Sequence, residues 1–390
     1  MQIKGSASKR SIIVLAVLSV LALGFNLIFM LLIDCHWYAY LILGIILLLE
    51  LFLIIFIAGK RWQRVLVFLL AISLSSVTLI MCRPSISVSF TGTLVRESIR
   101  LAMQQPAMKG DGLFKQGADL AAQESTWEAP ADYRNTRYDL TNSAIELLRS
   151  GEKQETVIYQ LHGGAYMIGF MDTYRDLAVR YSKLAQGADV ASLDYRIAPA
   201  FTYPAALDDA IEGWEFLLAA GYQADHFIVV GDSAGGNLAL ALTAKLRDRG
   251  SELPEAIVLM SPLADLASLG ESHTYNIYND PMFGIAEGSE PARLKKPLLY
   301  AGSTNLQDKY LSPAYGEFDE FPPMLIQVGT WEVLESDSLT VYQKAKAKGV
   351  DVTLTRYEGM FHVFQMGGDL IPESKTAWQE VESFISQFVS

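Results

Sequence analysis

The feature that most constrains the fold is an apolar run that breaks into a serine flanked by glycines. Residues 227–230 (FIVV) are typical of a buried strand in a parallel sheet, and residues 231–235 (GDSAG) follow at once. The next stretch, 237–249, contains helix-forming residues and no proline. A chain that turns from strand to helix over about two residues crowds its backbone, so the residues two positions before and after Ser233, Gly231 and Gly235, must lack a Cβ. The pattern predicts an α/β fold with Ser233 in a strained turn above the sheet edge.

This turn is also a means of making a serine nucleophilic. The hydroxyl of Ser233 would stand above the sheet, and the N–H of Ala234 would lie at the helix N-terminus, where it can stabilise an anion on a reacting carbonyl. The alternative interpretation is an ordinary glycine-rich connection between a strand and a helix. The pentapeptide alone leaves both interpretations open.

A second glycine-containing turn precedes the first one in the chain. Residues 156–161 have the pattern of a strand, and they end in His162, Gly163, Gly164 and Ala165. Consecutive glycines expose backbone N–H groups without interference from side chains. The sequence therefore predicts Gly163 and Gly164 as donors to an oxyanion, although a His-Gly-Gly by itself is usually a plain turn.

A base is needed within reach of the serine, and the chain offers few candidates. In triads built on such a turn the chain order is serine, acid, histidine. Of the five histidines, only His273 and His362 follow the serine. His362 lies in a loop, 357–364, after the predicted strand 352–355, and it is the better placed. A purely structural histidine is the alternative.

The acid is expected after the preceding strand, which the pattern predicts at 324–329. Three carboxylates compete in the turn that follows, Glu332, Glu335 and Asp337. Glu332 comes first after the strand, whereas the other two fall in the first turn of a helix, where acidic residues complement the helix dipole. We predict that Glu332, rather than Asp337, orients the imidazole of His362 and stabilises its charged form.

From about residue 129 to residue 390, the chain resembles the hormone-sensitive-lipase-like esterases of the α/β-hydrolase fold. The matching stretches, in the order of the family, are HGGAYMIG (162–169), DYRIAPAFTYPAALDD (194–209), GDSAGGN (231–237), SPLADL (261–266), NDPMF (279–283), FPPMLIQVGTWEVLESDS (321–338) and YEGMFHVF (357–364). The resemblance implies a mostly parallel sheet with helices on both faces and a helical lid. In the family the lid is formed by the region before the catalytic core, where the sequence predicts a helical stretch at 94–105, and by an insertion near 265–300. It also implies a triad and oxyanion donors at Ser233, Glu332, His362, Gly163, Gly164 and Ala234.

The chain departs from the family pattern at three positions. Glu332 stands where the family usually has Asp, but members with a Glu-Val-Leu turn carry Glu, and the spacing of thirty residues to His362 matches the family. Ala165 replaces the third glycine of the loop, which would reshape the acyl pocket. Ala200 replaces the acid usual after Ala-Pro, so one supporting interaction is missing.

The first eighty residues have a different character. The runs 11–33, 37–58 and 65–82 contain a single charged residue, Glu50. At a rise of about 1.5 Å per residue each helix can cross a hydrocarbon core of about 30 Å, the third one only just. A signal peptide is the alternative for the first run, but two further runs follow and no clear cleavage site is present. The predicted domains are a membrane anchor (1–82), a linker with lid helices (83–130) and a catalytic domain (131–390).

Two further expectations concern this anchor. Basic residues precede the first run and separate the second from the third, which predicts a cytoplasmic N-terminus and an extracytoplasmic catalytic domain: Lys4, Lys9, Arg10, Lys60, Arg61 and Arg64. Glu50 needs a partner inside the membrane. The candidates are the serines of the third run, Ser73, Ser75 and Ser76, and the alternatives are a packing role and a functional site.

Charge and composition exclude several classes of function. Residues 1–82 carry six bases and two acids, which leaves 31 − 6 = 25 bases and 43 − 2 = 41 acids in the rest of the chain. So acidic a body argues against binding to nucleic acid. Two cysteines make no disulfide framework, and the sequence contains no metal-ligand cluster or cofactor motif. We therefore expect neither a metal nor a cofactor.

Together these expectations describe a multi-pass cell-membrane serine esterase that acts on short to medium acyl esters. Tyr166, Phe170 and Trp331 flank the predicted catalytic loops and are the candidates for substrate contact. A lactonase or a lipid-active lipase would use the same triad. A non-catalytic ligand-binding protein on the same fold is the alternative from a different class.

Overall fold

The computed structural model of the protein describes residues 3–33, 35–57, 60–82, 87–108, 112–285 and 299–389. By its internal contacts the chain divides into two compact units, residues 1–99 and 100–390. Each unit is described separately below.

The N-terminal unit is built from long apolar helices. Their bounds are α1 (Ile3–Leu32), α2 (Trp37–Phe52), continued by a π-helical turn (Leu53–Ile57), and α3 (Arg61–Met81). Three stretches of 21 residues are long and apolar enough to cross a membrane: Ile12–Leu32, Trp37–Ile57 and Arg61–Met81. These stretches overlap the three runs identified in the sequence, and the third begins four residues earlier than predicted.

Glu50 finds its partner on α1 and not on α3. The Ser19 hydroxyl donates to Oε1 of Glu50 at 2.5 Å, and Oε2 of Glu50 is buried without a hydrogen-bond partner among the described residues. Ser75 instead accepts a hydrogen bond from Asn26 Nδ2 at 2.6 Å. The prediction that Glu50 pairs with a serine of the third run is therefore wrong. Helix α1 has Ser19 at the required height, and the sequence analysis considered only the third run.

The second unit contains an eight-stranded sheet. The strand bounds are β1 (Arg134–Asp139), β2 (Ala144–Arg149), β3 (Val157–Leu161), β4 (Asp189–Asp194), β5 (Phe227–Asp232), β6 (Ala256–Met260), β7 (Met324–Gly329) and β8 (Val352–Tyr357). The strand order is β1-β2-β4-β3-β5-β6-β7-β8, with β2 antiparallel to both of its neighbours and all other pairs parallel. The mostly parallel sheet predicted from the apolar strand patterns is confirmed.

Helices cover both faces of this sheet. Those that pack on it are α6 (Asp172–Leu184), α7 (Ala205–Ala219), α8 (Ala234–Asp248), α10 (Glu335–Ala347) and α11 (Pro372–Ile385). The other helices described after residue 87 are α4 (Phe90–Met103, which begins in the first unit), α5 (Gly112–Ala121) and α9 (Ser272–Tyr275). Alternate residues of β5 face opposite sides, so Val229 packs in the core under α7, α8 and α10, whereas Ile228 and Val230 pack under α6 and α11. Burial on both faces explains why the central strands are continuously apolar.

The segments predicted to carry a lid are partly described. Helix α4 covers most of the helical stretch expected at 94–105, and α5 follows it. Residues 265–285 form loops around the single turn of α9, and residues 286–298 of the predicted lid insertion lie outside the described residues. The lid role remains a prediction.

Sheet topology determines where functional residues can meet. The strands β5, β6, β7 and β8 are neighbours and parallel, so their carboxyl ends lie along one edge of the sheet. The segments that follow β5, β7 and β8 carry Ser233, Glu332 and His362, respectively. Parallel α/β sheets typically place their ligand sites outside this edge.

Candidate active site

The turn after β5 has the strained geometry that the sequence predicts. Ser233 has φ 52° and ψ −117°, a left-handed conformation that side-chain-bearing residues seldom adopt. A Cβ on Gly231 would overlap the carbonyl of Gly235, and a Cβ on Gly235 would overlap the carbonyl of Leu161. Both glycines are therefore required by close backbone approach. Strain of this kind costs about 1–3 kcal/mol and persists where the surrounding structure enforces it.

The three side chains predicted as a triad form one hydrogen-bonded chain. The Nε2 atom of His362 lies 2.9 Å from Ser233 Oγ, and its Nδ1 atom lies 2.9 Å from Glu332 Oε2. All three residues are buried. The competing carboxylates are engaged elsewhere, since Glu335 pairs with Arg356 and Asp337 contacts His273. Of the three candidates for the acid, Glu332 is the one that contacts the imidazole.

Glu332 is held by more than the histidine. Its Oε1 atom accepts hydrogen bonds from the Gly329 N–H at 2.6 Å and from the Ser261 hydroxyl at 2.7 Å. Ser261 Oγ also accepts the N–H of Val363 at 3.1 Å, so one side chain links the acid to the loop that carries His362. The sequence analysis missed Ser261 as a site residue. Its position directly after β6, at the same sheet edge, is the signal that points to it.

The charge balance at His362 favours the protonated imidazole. Burial alone lowers the pKa of His362, but the hydrogen bond and charge of Glu332 outweigh it. The negative charges of Asp280 and Asp232 add to the effect, and the pKa of His362 is raised above its ordinary value. A base with this environment can take a proton from a neighbouring hydroxyl and hold the resulting charge.

The glycine loop differs from the prediction at Gly163. The Gly163 N–H donates to Tyr174 Oη at 2.9 Å and to Asp232 Oδ1 at 3.1 Å, and the Tyr174 hydroxyl donates to Asp232 Oδ2 at 3.1 Å. A Cβ at this position would overlap the Asp232 carboxylate. Burial raises the pKa of Asp232 to about 6, against the hydrogen bond from Tyr174. The prediction that Gly163 donates to an oxyanion is therefore wrong, because its N–H is engaged in hydrogen bonds that hold the loop against the serine turn.

The next residues of the loop have the free donors. Among the hydrogen bonds of the described residues, none uses the N–H of Gly164, Ala165 or Ala234. Gly164 has φ 111° and Ala165 has φ 56°, so both lie in the left-handed region. The sequence analysis treated Ala165 only as a departure from the family glycine. The backbone N–H of Ala165 takes the place of the Gly163 N–H as a candidate donor. The glycine that the family usually has at position 165 was the signal that could have shown this.

Two of the three predicted substrate contacts are packing residues. Tyr166 is 1% exposed, donates its hydroxyl to Asn237 Oδ1 at 2.6 Å and stacks on Tyr300. Phe170 is buried against the rings of His162 and Tyr174. Burial does not exclude contact with a substrate, since Ser233 itself is 7% exposed, so both residues stay predictions. Trp331 is half-buried beside Glu332 and remains a prediction.

An apolar cavity lies beside the glycine loop. Its volume is about 380 Å³, and its lining includes Phe114 and Ala118 of α5, Met167 of the loop, and Ile197 and Pro199 after β4. This volume lies within the range of about 300–1,000 Å³ typical of small-molecule sites. Among the described residues, no group of three His, Cys, Asp or Glu side chains is arranged to hold a metal ion.

Comparison with known proteins agrees with this geometry. The family model described as alpha/beta hydrolase fold matches residues 158–366. An acetyl-hydrolase of Streptomyces hygroscopicus is 35% identical over 62% of this chain and 78% of its own, and an esterase of Acinetobacter venetianus is 32% identical over 61% and 77%. A crystal structure of an esterase from the bacterial hormone-sensitive lipase family superposes with a TM-score of 0.68 at 31% identity, covering 77% of this chain and 99% of its own.

The chain belongs to the α/β-hydrolase fold family, in its hormone-sensitive-lipase-like branch. The protein is a carboxylic ester hydrolase. The family match begins at residue 158, well after the three apolar helices.

Proposed function

We propose that the protein is a membrane-anchored serine carboxylesterase that uses Ser233, His362 and Glu332 as its catalytic triad. The observation that carries this proposal is the unbroken chain of contacts, 2.9 Å and 2.9 Å long, from Glu332 through His362 to Ser233. The strained turn supports it, because it presents Ser233 Oγ to the imidazole.

The proposed reaction is acyl transfer in two steps. Ser233 Oγ attacks the ester carbonyl while His362 Nε2 takes its proton, and Glu332 holds the imidazole by Nδ1. The oxyanion accepts hydrogen bonds from backbone N–H groups of Gly164, Ala165 and Ala234. His362 then protonates the leaving alcohol. In the second step His362 takes a proton from water, which attacks the acyl-enzyme. The carboxylic acid leaves as His362 returns the proton to Ser233, which restores the free serine.

We propose short to medium acyl esters as substrates. The cavity of about 380 Å³ supports a short or medium apolar chain, and its lining is almost wholly apolar apart from Lys115. A lactonase or lipid-active lipase would have the same triad, and a panel of substrates separates them. Trp331, half-buried beside Glu332, is proposed to contact the substrate.

The membrane arrangement is also a proposal. Residues 1–82 would be the anchor, 83–130 a linker with lid helices and 131–390 the catalytic domain. Three apolar helical stretches of 21 residues in the described part of the chain support the anchor. The basic residues at their ends favour an extracytoplasmic catalytic domain. A reporter that works only in the cytoplasm, fused after residue 390, should be inactive, and activity of that fusion would contradict this orientation.

The test of the catalytic proposal is serine-directed labelling of the full chain in detergent. A fluorophosphonate should label wild-type protein at Ser233, as read by peptide mass spectrometry, and Ser233→Ala should abolish labelling and ester hydrolysis. Ser192→Ala is a matched control, because Ser192 is also buried at 2% exposure but lies within β4. Wild-type turnover in Ser233→Ala would rule out the mechanism. A series of p-nitrophenyl esters from acetyl to palmitoyl then defines the acyl range.

A further inference from the structure

Residues 276–283, which follow α9, hold the turn that carries Glu332 by hydrogen bonds. Asn276, which is 2% exposed, donates from Nδ2 to the carbonyl oxygens of Thr330 and Glu332, both at 2.8 Å. One amide thereby fixes the backbone on both sides of Trp331. This backbone places the carboxylate opposite the histidine.

Asp280 is hydrogen-bonded to the same turn. Its Oδ2 atom accepts the N–H of Val333 at 2.9 Å, the residue directly after Glu332. Its Oδ1 atom accepts the N–H groups of Met282 at 2.8 Å and Phe283 at 2.9 Å. Asp280 is 2% exposed and has no ion pair among the described residues. Three N–H donors are the arrangement by which a protein holds a buried carboxylate without a cation.

The backbone turn at 280–283, whose N–H groups donate to Asp280, also places an aromatic ring against the imidazole of His362. The ring of Phe283 packs edge to face against His362, with centroids 4.9 Å apart. The same carboxylate therefore fixes the backbone beside the acid and the ring beside the base.

Asp280 also acts on His362 through its charge. The pKa of His362 is lowered by burial and raised, in decreasing order, by Glu332, Asp280 and Asp232. Among the described residues, these three carboxylates have the largest charge effects on the imidazole. Asp280 reaches it from the 276–283 segment, Glu332 from the turn after β7 and Asp232 from the end of β5.

We infer that Asp280, together with Asn276, is a positioning residue for the Glu332–His362 pair and supports the charged imidazole during acyl transfer. The inference rests on the proposed triad. The inference assigns a role in catalysis to residues 279–283 (NDPMF). In the sequence analysis these residues were only a stretch similar to the family and part of the predicted lid. Neither side chain would touch the substrate.

The test compares two variants of the full chain in detergent. Asp280→Asn removes the charge and turns an amide donor toward at least one N–H group that the carboxylate accepts. Asn276→Leu removes the two hydrogen bonds to the turn, and those to Glu335 and Asn279, but no charge. Both should lower kcat by about 10- to 100-fold with KM nearly unchanged, because small displacements of a catalytic group have effects of this size. Asp265→Asn is the matched control, since Asp265 is also a buried carboxylate that accepts backbone N–H groups, from Ala267 and Leu269.

The pH profile separates positioning from general destabilisation. The base must be neutral to act, so kcat/KM falls as the pH drops through the pKa of His362. Loss of the Asp280 charge lowers that pKa, and the acid limb should move to lower pH by roughly half a unit in Asp280→Asn. Asn276→Leu should leave the limb in place. In Asp280→Asn, a merely structural defect would lower the rate without moving the limb.

The outcomes are distinguishable from failure of the triad itself. If Glu332→Gln is inactive while Asp280→Asn and Asn276→Leu match wild type in kcat and in the acid limb, the inference is wrong and the triad stands. If Glu332→Gln keeps wild-type activity, the triad is wrong. Should Asp280→Asn fail to fold, as judged by circular dichroism, Asn276→Leu with wild-type kcat still overturns the inference.

Discussion

Two buried glutamates in this molecule have opposite surroundings. Glu332 accepts hydrogen bonds from the Gly329 N–H and the Ser261 hydroxyl and contacts His362, so both of its oxygens are engaged. Glu50, on α2, has one donor, Ser19, and its other oxygen has no partner among the described residues. The number of donors distinguishes a carboxylate that is hydrogen-bonded on both oxygens and contacts an imidazole from one that packs in an apolar helical bundle.

The largest effect that sharpens this comparison is expected at Glu332. Glu332→Gln keeps the shape but removes the charge that stabilises the imidazolium and its tautomer, and in a comparable triad this change lowers kcat about 10⁴-fold. We expect a loss of about 10³- to 10⁴-fold in the hydrolysis of a p-nitrophenyl ester, with KM little changed. Equal rates in the variant and wild type would remove the distinction between the two glutamates.

A smaller loss is expected from the group that links the acid to the histidine loop. Ser261→Ala removes the hydroxyl that donates to Glu332 and accepts the N–H of Val363. Hydrogen bonds to charged groups are worth about 1.5–3 kcal/mol, so kcat should fall by about 10- to 100-fold. Thr243→Ala is a control, because its hydroxyl is equally buried but bonds only within α8. A similar loss in both variants would point to packing and not to the acid.

The pH dependence tests whether Glu332 is ionised in the folded enzyme. Because the pKa of His362 is raised, chiefly by Glu332 against the effect of burial, the acid limb of kcat/KM should lie above the ordinary imidazole value of about 6.5. Below that limb the rate should fall about tenfold per pH unit, since protonated His362 cannot accept the serine proton. Initial rates with an uncharged ester measure the limb, and circular dichroism at each pH checks that the protein stays folded. A limb below the ordinary value would contradict the ionised pair.

The smallest effect is expected in the membrane-type bundle. Glu50→Gln keeps a hydrogen-bond partner for Ser19 and should leave kcat within about twofold of wild type. Polar contacts between such helices contribute about 0.6 kcal/mol on average, so the midpoint of thermal unfolding in detergent should change little. A large loss of activity in Glu50→Gln would assign this residue a function.

The strained turn at Ser233 and the place of Glu332 were predictable from the sequence because they depend on local geometry. The two glycines around Ser233 are dictated by backbone contacts within the turn and with the end of β3. The position of Glu332 follows from its place directly after β7. These features are fixed by residues close to one another in the chain or by the regular order of parallel strands.

The errors concern contacts between side chains far apart in the sequence. Gly163 donates to Tyr174 and Asp232, which lie on other elements of the fold. A glycine pattern indicates that N–H groups are exposed by the backbone, but the acceptors that meet them come from other elements. The partner of Glu50 has the same origin, since helix rotation decides which of several serines faces it.

The contact between Gly235 and the carbonyl of Leu161 limits how this enzyme can be redesigned. No side chain of any size fits between the reactive turn and the end of β3, so selectivity cannot be altered from beneath the nucleophile. Directed evolution for new esters should therefore enrich changes around the rim, at Trp331 and along the wall formed by Met167 and Ile197. Libraries that randomise Gly231 and Gly235 would yield mostly unfolded protein.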